Sequence, residues 1–193
     1  DRIFKERQGK PVDWFDLKRW KALLKYYKGG KLVDLGCLDS KIPEMAIQKF
    51  PDSLIWGIDL AAEAIRTLEK LKISNRIIYH ICDVYHVPFI SNGFDYAVAG
   101  ELIEHLEKPM EFLKEAFRIL KPGGILALSV PQNEAIEPGA VDGERHLWSF
   151  DEVDIRKVLE PYGKVWMKIL YSQYFPRYRY HFPHIVAYCR KYG

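Results

Sequence analysis

At 193 residues, 48% of them hydrophobic and 28% charged, the chain has the length for one globular domain with a sizeable core and too little for two. A net charge of +3, with Lys, Arg, Asp and Glu interspersed, sets up no overall field that demands a nucleic-acid partner or an anionic membrane. Three widely spaced cysteines without a zinc pattern (Cys37, Cys82, Cys189), no apolar run near the about 18 residues of a membrane span and no basic-then-apolar leader argue against a disulfide scaffold or a membrane-spanning chain, and make the cytoplasm the expected compartment.

The chain opens at Asp1 without a methionine, which leaves room for residues upstream. Trp14, Leu17, Trp20, Leu23, Leu24 and Tyr27 recur at helical spacing among lysines and arginines, predicting an amphipathic N-terminal helix that Gly29-Gly30 stops. The runs KLVDLG, SLIWGIDL, RIIYHICD, FDYAVAG and GGILALSVP are short and apolar, as strands covered on both faces are. Between them KIPEMAIQKF, AAEAIRTLEKL and PMEFLKEAFRIL carry helical apolar faces, and KPGG (Lys121 to Gly124) stops a helix and starts a strand. This alternation predicts an α/β fold with a doubly wound, mostly parallel sheet and right-handed crossovers. Beyond Pro131 a loop of Pro, Gly and charges runs to Leu147. Ser149-Phe150-Asp151-Glu152 then reads as a capping box for a helix through about Leu159. Two closing strands, GKVWMKILY and HIVAYCR, are joined by an aromatic and basic connection. The expected organisation is one domain over residues 1–193: an N-terminal helical segment (1–30), a ligand-binding core (31–131), and a lid loop, helix and closing strands (132–193).

In a doubly wound sheet the ligand lies beyond the carboxyl ends of the strands, where the strand order reverses. The first strand-to-helix turn, LVDLGCLDS, places Gly36 where the backbone can bend and approach a ligand, and Asp34 as an acceptor at the strand end. Asp59 closes the next strand 23 residues after Gly36, a spacing at which a carboxylate can bond ribose hydroxyls. Asp83 closes the third and can accept from an adenine amino group. A lone acid at a strand end is usually a helix cap; three in register converge on one edge of the sheet, where a nucleoside can lie.

LVDLGC, GIDLAAEAI, CDVYHVPF, FDYAVAGELIEHLEKP and LKPGGILALSVP resemble, in order and spacing, the successive motifs of class I S-adenosylmethionine-dependent methyltransferases, and in particular the small-molecule O-methyltransferases of the ubiquinone-biosynthesis type. The likeness spans roughly Lys31 to Pro131. It implies a Rossmann-like seven-stranded sheet whose last strand is antiparallel, with S-adenosylmethionine as cofactor. By that resemblance Asp34 and Gly36 hold the methionine portion, Asp59 the ribose, and Asp83 with the backbone of Cys82 and Val84 the adenine, while Leu60 packs on the ring. The departure is in the turn: Leu38 and Ser40 stand where the family usually carries glycines, and the Leu38 side chain is expected to crowd the methionine carboxylate.

A sulfonium already carries an activated methyl, so methyl transfer asks the protein mainly to position the acceptor and exclude water. A hydroxyl acceptor also needs a base, and His105 in ELIEH, just past the fourth strand, is the candidate; the plainer reading is a histidine that caps or packs. No metal is required on this reading. The alternative is that Glu101, Glu104 and His105 face one side of a turn and, with His146, offer two carboxylates and two imidazoles to a divalent ion, as small-RNA 2′-O-methyltransferases do with a similar motif. In YSQYFPRYRYHFPH, six aromatics interleaved with Arg177, Arg179 and His181 either stack an acceptor or pack over the sheet or against a second copy, so that a homo-oligomer is allowed. The expectation is therefore a small-molecule methyltransferase acting at oxygen. A metal-assisted RNA methyltransferase and an inactive methyltransferase-like binding subunit are the rivals. A nicotinamide dehydrogenase would show Gly-x-Gly-x-x-Gly, which GCLDSK is not.

Overall fold

A computed structural model of the chain describes residues 13–71, 73–133, 146–171 and 183–193. Residues 134–145 of the lid loop and 172–182 of the aromatic connection, for which acceptor-facing roles were expected, lie outside the described residues.

The strands are β1 (Lys31–Leu35), β2 (Leu54–Asp59), β3 (Ile77–Ile81), β4 (Phe94–Gly100), β5 (Leu120–Pro131), β6 (Gly163–Leu170) and β7 (His184–Lys191). They form a seven-stranded sheet in the order β3-β2-β1-β4-β5-β7-β6. β7 runs antiparallel to both its neighbours, and the other described pairings are parallel. This is the expected α/β Rossmann-like architecture. The order reverses between β1 and β4, so the crevice for a ligand opens beyond the carboxyl ends of those two strands.

The helices are α1 (Trp14–Leu23), α2 (Ile42–Lys49), α3 (Ala62–Leu71), α4 (Pro109–Ile119) and α5 (Glu152–Leu159), with one 3-10 turn at Ile103–His105. α1 and α2 cover one sheet face, burying Leu23, Ile42 and Ile47 against Leu32, Ile55 and Val98. α4 and α5 cover the other, packing Phe112, Leu113 and Ile155 on Val33, Ala97 and Leu126. Alternation along each strand sends neighbours to opposite faces, which is why both faces of the central strands are apolar. α1 begins at Asp13, whose side chain accepts from Phe15 N at 3.0 Å. Its last carbonyls are satisfied from below: the Tyr96 hydroxyl donates to Leu23 O at 2.6 Å and the Tyr188 hydroxyl to Ala22 O at 2.7 Å.

Two local expectations are corrected. The capping box of α5 is Asp151 with Asp154, two residues later than Ser149-Glu152, because Phe150 is drawn into a bridge with Gln132. β3 ends at Ile81, so Cys82 and Asp83 lie in the turn beyond it, with Cys82 N held to Asp59 O at 3.0 Å.

Candidate active site

The turn after β1 is fixed by the strand beside it. Gly36 N and Cys37 N both donate to Ile58 O at 2.9 Å, folding the chain back over the end of β2. Gly36 has φ +71, and a Cβ there would come within 2.8 Å of the Leu102 side chain. Only glycine lets the chain pass between β1 and that leucine. Leu38 also sits in the left-handed region, at φ 38, where a leucine is strained; the position suits a glycine. The strain follows from a bond it makes, since Leu38 N donates to Asp59 Oδ2 at 2.9 Å. Leu38 thus carries a side chain on a backbone that suits the glycine the resemblance implies.

Asp34 is 1% exposed and accepts from the Ser40 hydroxyl. Burial pushes its carboxyl up to about 7; the Ser40 hydrogen bond opposes that and the charge of Asp59 adds to it. Asp59 closes β2 and joins two turns: its second oxygen accepts from Ala61 N at 2.8 Å at the start of α3. A carboxylate oxygen has two lone-pair sites, so both oxygens retain capacity for ribose hydroxyls. Leu60 is 66% exposed, a large apolar side chain left at the crevice. Asp83 accepts from Tyr85 N at 2.9 Å, which shapes the turn, while the Val84 side chain is buried in the core and leaves only its backbone for a ligand. Burial pushes the thiols of Cys37 and Cys82 up, and that of Cys189 up to about 12, so none is poised as a nucleophile. A cradle that a Cβ would fill, a buried carboxylate, an acid with spare lone pairs and an exposed apolar side chain together fit S-adenosylmethionine.

Past β4 the chain turns sharply. Glu101 carries φ 52 and leads into the 3-10 turn that presents Glu104 and His105. Glu104 and His105 come together with His146, their ligand atoms all within 4.8 Å of one another. The meeting is arranged by backbone: Leu147 N and Trp148 N donate to Glu104 O at 2.8 and 3.2 Å, and Trp148 Nε1 donates to Leu106 O at 2.7 Å. The rings of His105 and His146 meet edge to face at 4.6 Å. Glu101, the fourth member expected of that group, is engaged elsewhere. Its carboxylate accepts from the Ser129 hydroxyl at 2.8 Å, lies 2.9 Å from His184 Nε2 and 3.4 Å from the Arg19 guanidinium. Burial pushes this carboxyl up, but the Arg19 charge and the contacts from His184 and Ser129 outweigh it and hold it down at about 2.

Sequence reasoning missed Arg19, Ser129 and His184. Arg19 left a signal: with Phe15 and Leu23 it falls at i, i+4 and i+8 on one helical face, a charge on a stripe otherwise apolar. Ser129 and His184 left none, because their partner comes from a distant strand end.

Residues 33–128 match the family described as "Methyltransferase domain". Over 110 residues the chain is 31% identical to the biotin biosynthesis bifunctional protein BioHC of Teredinibacter turnerae, covering 52% of this chain and 19% of that protein. It is 25% identical over 130 residues to the 27-O-demethylrifamycin SV methyltransferase of Amycolatopsis mediterranei, covering 63% and 47%. The chain thus spans less than half the length of these two relatives. Among solved structures, the Burkholderia thailandensis 1,6-didemethyltoxoflavin-N1-methyltransferase with bound 1,6-didemethyltoxoflavin and S-adenosylhomocysteine superposes with a TM-score of 0.74 at 17% identity, covering 98% of this chain and 83% of that one. With the sheet order, the cradle at Gly36 and the acids at successive strand ends, the match over residues 33–128 supports a class I methyltransferase domain that uses S-adenosylmethionine.

Proposed function

We propose that this chain, as a single domain, transfers the methyl group of S-adenosylmethionine to an oxygen of a small-molecule acceptor. The observation that carries the reading is the polar group Glu104, His105 and His146 just past β4, beside the cofactor turn, where an acceptor hydroxyl can meet a base. The cofactor supplies an activated methyl on its sulfonium. Asp34 and Gly36 bind the methionine portion, Asp59 the ribose, and Asp83 with Cys82 and Val84 the adenine, with Leu60 against the ring. His105 takes the acceptor proton. The name of the rifamycin relative, a 27-O-demethyl substrate, supports oxygen as the acceptor atom. Three free cysteines, two of them buried, agree with a reducing cytoplasm, and among the described residues no helix is long and apolar enough to cross a membrane.

The experiment is calorimetric titration of S-adenosylhomocysteine into the chain and into Asp59→Ala. Loss of charge-assisted hydrogen bonds should weaken binding by about 1.5 to 3 kcal/mol, roughly ten- to a hundredfold. Equal affinity in the two proteins would refute the ribose assignment. A wild type with no affinity at millimolar concentration would favour the inactive binding subunit.

The convergence of Glu104, His105 and His146 supports a second reading in which these three hold a divalent ion that takes the acceptor oxygen, as in the metal-assisted RNA branch. Two imidazoles and one carboxylate suit a first-row transition ion better than magnesium.

A further inference from the structure

α1 is already secured to the sheet at its carboxyl end by the hydroxyls of Tyr96 and Tyr188. Its buried arginine therefore calls for another reason. Arg19 is 7% exposed, bonds Asp16 at 2.8 Å, approaches Glu101 at 3.4 Å, and its Nε has no hydrogen-bond partner among the described residues. Burying a guanidinium with an idle donor against a part-buried carboxylate is poor stabilisation; apolar side chains of similar volume often serve as well. What such a pair does well is fix a geometry.

The geometry it fixes is at Glu101. The backbone there is left-handed, a conformation that a glutamate holds only when its surroundings impose it. Three elements grip the carboxylate: Arg19 from α1, Ser129 from β5 and His184 from β7, while the Glu101 amide donates to Ser129 O at 3.0 Å. The next residue is Leu102, whose side chain lies against Gly36 closely enough that a Cβ on Gly36 would come within 2.8 Å of it. A shift of Glu101 therefore moves Leu102, and Leu102 forms the floor of the Gly36 turn.

We propose that Arg19 and Glu101 are positioning residues for the cofactor turn, their ion pair fixing Leu102 beneath Gly36 and so setting the affinity for S-adenosylmethionine. The inference rests on the assignment of that turn to the cofactor.

The test is S-adenosylhomocysteine affinity by calorimetry alongside thermal unfolding, for wild type, Arg19→Met, Arg19→Lys, Glu101→Gln, the double variant Arg19→Met with Glu101→Gln, and Tyr188→Phe. Arg19→Met and Glu101→Gln should each weaken binding about five- to tenfold, with the double variant no weaker than the single ones, because both break one link. Arg19→Lys should recover most of the affinity by restoring the charge. Tyr188→Phe loosens α1 by removing one hydrogen bond in which neither Arg19 nor Glu101 takes part; it should lower the melting temperature and leave the affinity within about twofold. Affinity unchanged in Arg19→Met overturns the coupling. So does an equal loss in Tyr188→Phe, which would trace the effect to general loosening of the helix. A wild type that binds no S-adenosylhomocysteine overturns the cofactor assignment itself, and the coupling with it.

Discussion

If Asp34 receives the cofactor's ammonium group, binding must be linked to a proton. Burial holds the Asp34 carboxyl at about 7, well above the 3.8 of an unperturbed aspartate, so below neutrality most of the population is neutral. An ammonium favours the ionised form, and each pH unit below 7 should then weaken binding about tenfold, or about 1.4 kcal/mol. From pH 8 to pH 5 the dissociation constant should rise about a hundredfold, and at pH 6 binding should release about 0.9 proton. Titration of S-adenosylhomocysteine in phosphate and in Tris reads that proton directly, as a difference in apparent enthalpy. Asp34→Asn should bind weakly and with no pH dependence, whereas Ser40→Ala, which loses a hydrogen bond favouring the ionised form, should move the rise to higher pH. Stability carries the opposite sign. Between 3.8 and about 7 the folded chain keeps the proton while the unfolded chain has lost it, so stability falls as pH rises through that window, by up to about 4 kcal/mol. Asp34→Asn should therefore melt higher than wild type at pH 8 and close to it at pH 4. A wild-type dissociation constant that is flat from pH 5 to pH 8, with no buffer dependence of the enthalpy, would refute the ammonium assignment.

The left-handed backbone at Leu38 predicts that Leu38→Gly stabilises the chain by about 0.5 to 1 kcal/mol, because relief of strain outweighs the added entropy of the unfolded state. Denaturant melts check this, and a loss of stability would show that the Leu38 side chain packs the turn into shape. The metal reading predicts that manganese at a hundredfold over its dissociation constant raises stability by about 2.7 kcal/mol, a shift of about 5 °C or more, and that His146→Ala abolishes it. No shift with manganese, zinc or magnesium would leave His105 to act as a base or merely to pack.

The proposed cofactor half of the site is legible in the sequence because it is local. Asp34, Asp59 and Asp83 announce themselves at the ends of short apolar runs, and parallel pairing of β1, β2 and β3 brings strand ends to one edge without further information. The same logic hid the conformation of Leu38: a left-handed leucine is imposed by the bond its amide makes to Asp59, from a strand 21 residues away. The network around Glu101 is assembled across the chain. Glu101 finds Ser129 at a separation of 28 residues and His184 at 83, and no periodicity links them. This also explains why ELIEH misled at its first residue: in sequence Glu101 belongs with Glu104 and His105, but the turn at φ 52 sends its carboxylate across the sheet to β5 and β7. Any chain of this topology brings the ends of β1, β2 and β3 to one edge, so acids placed there converge without further information. The network of Arg19, Glu101, Ser129 and His184 converges only once α1, β5 and β7 have come together, which is why no single stretch of the sequence displays it.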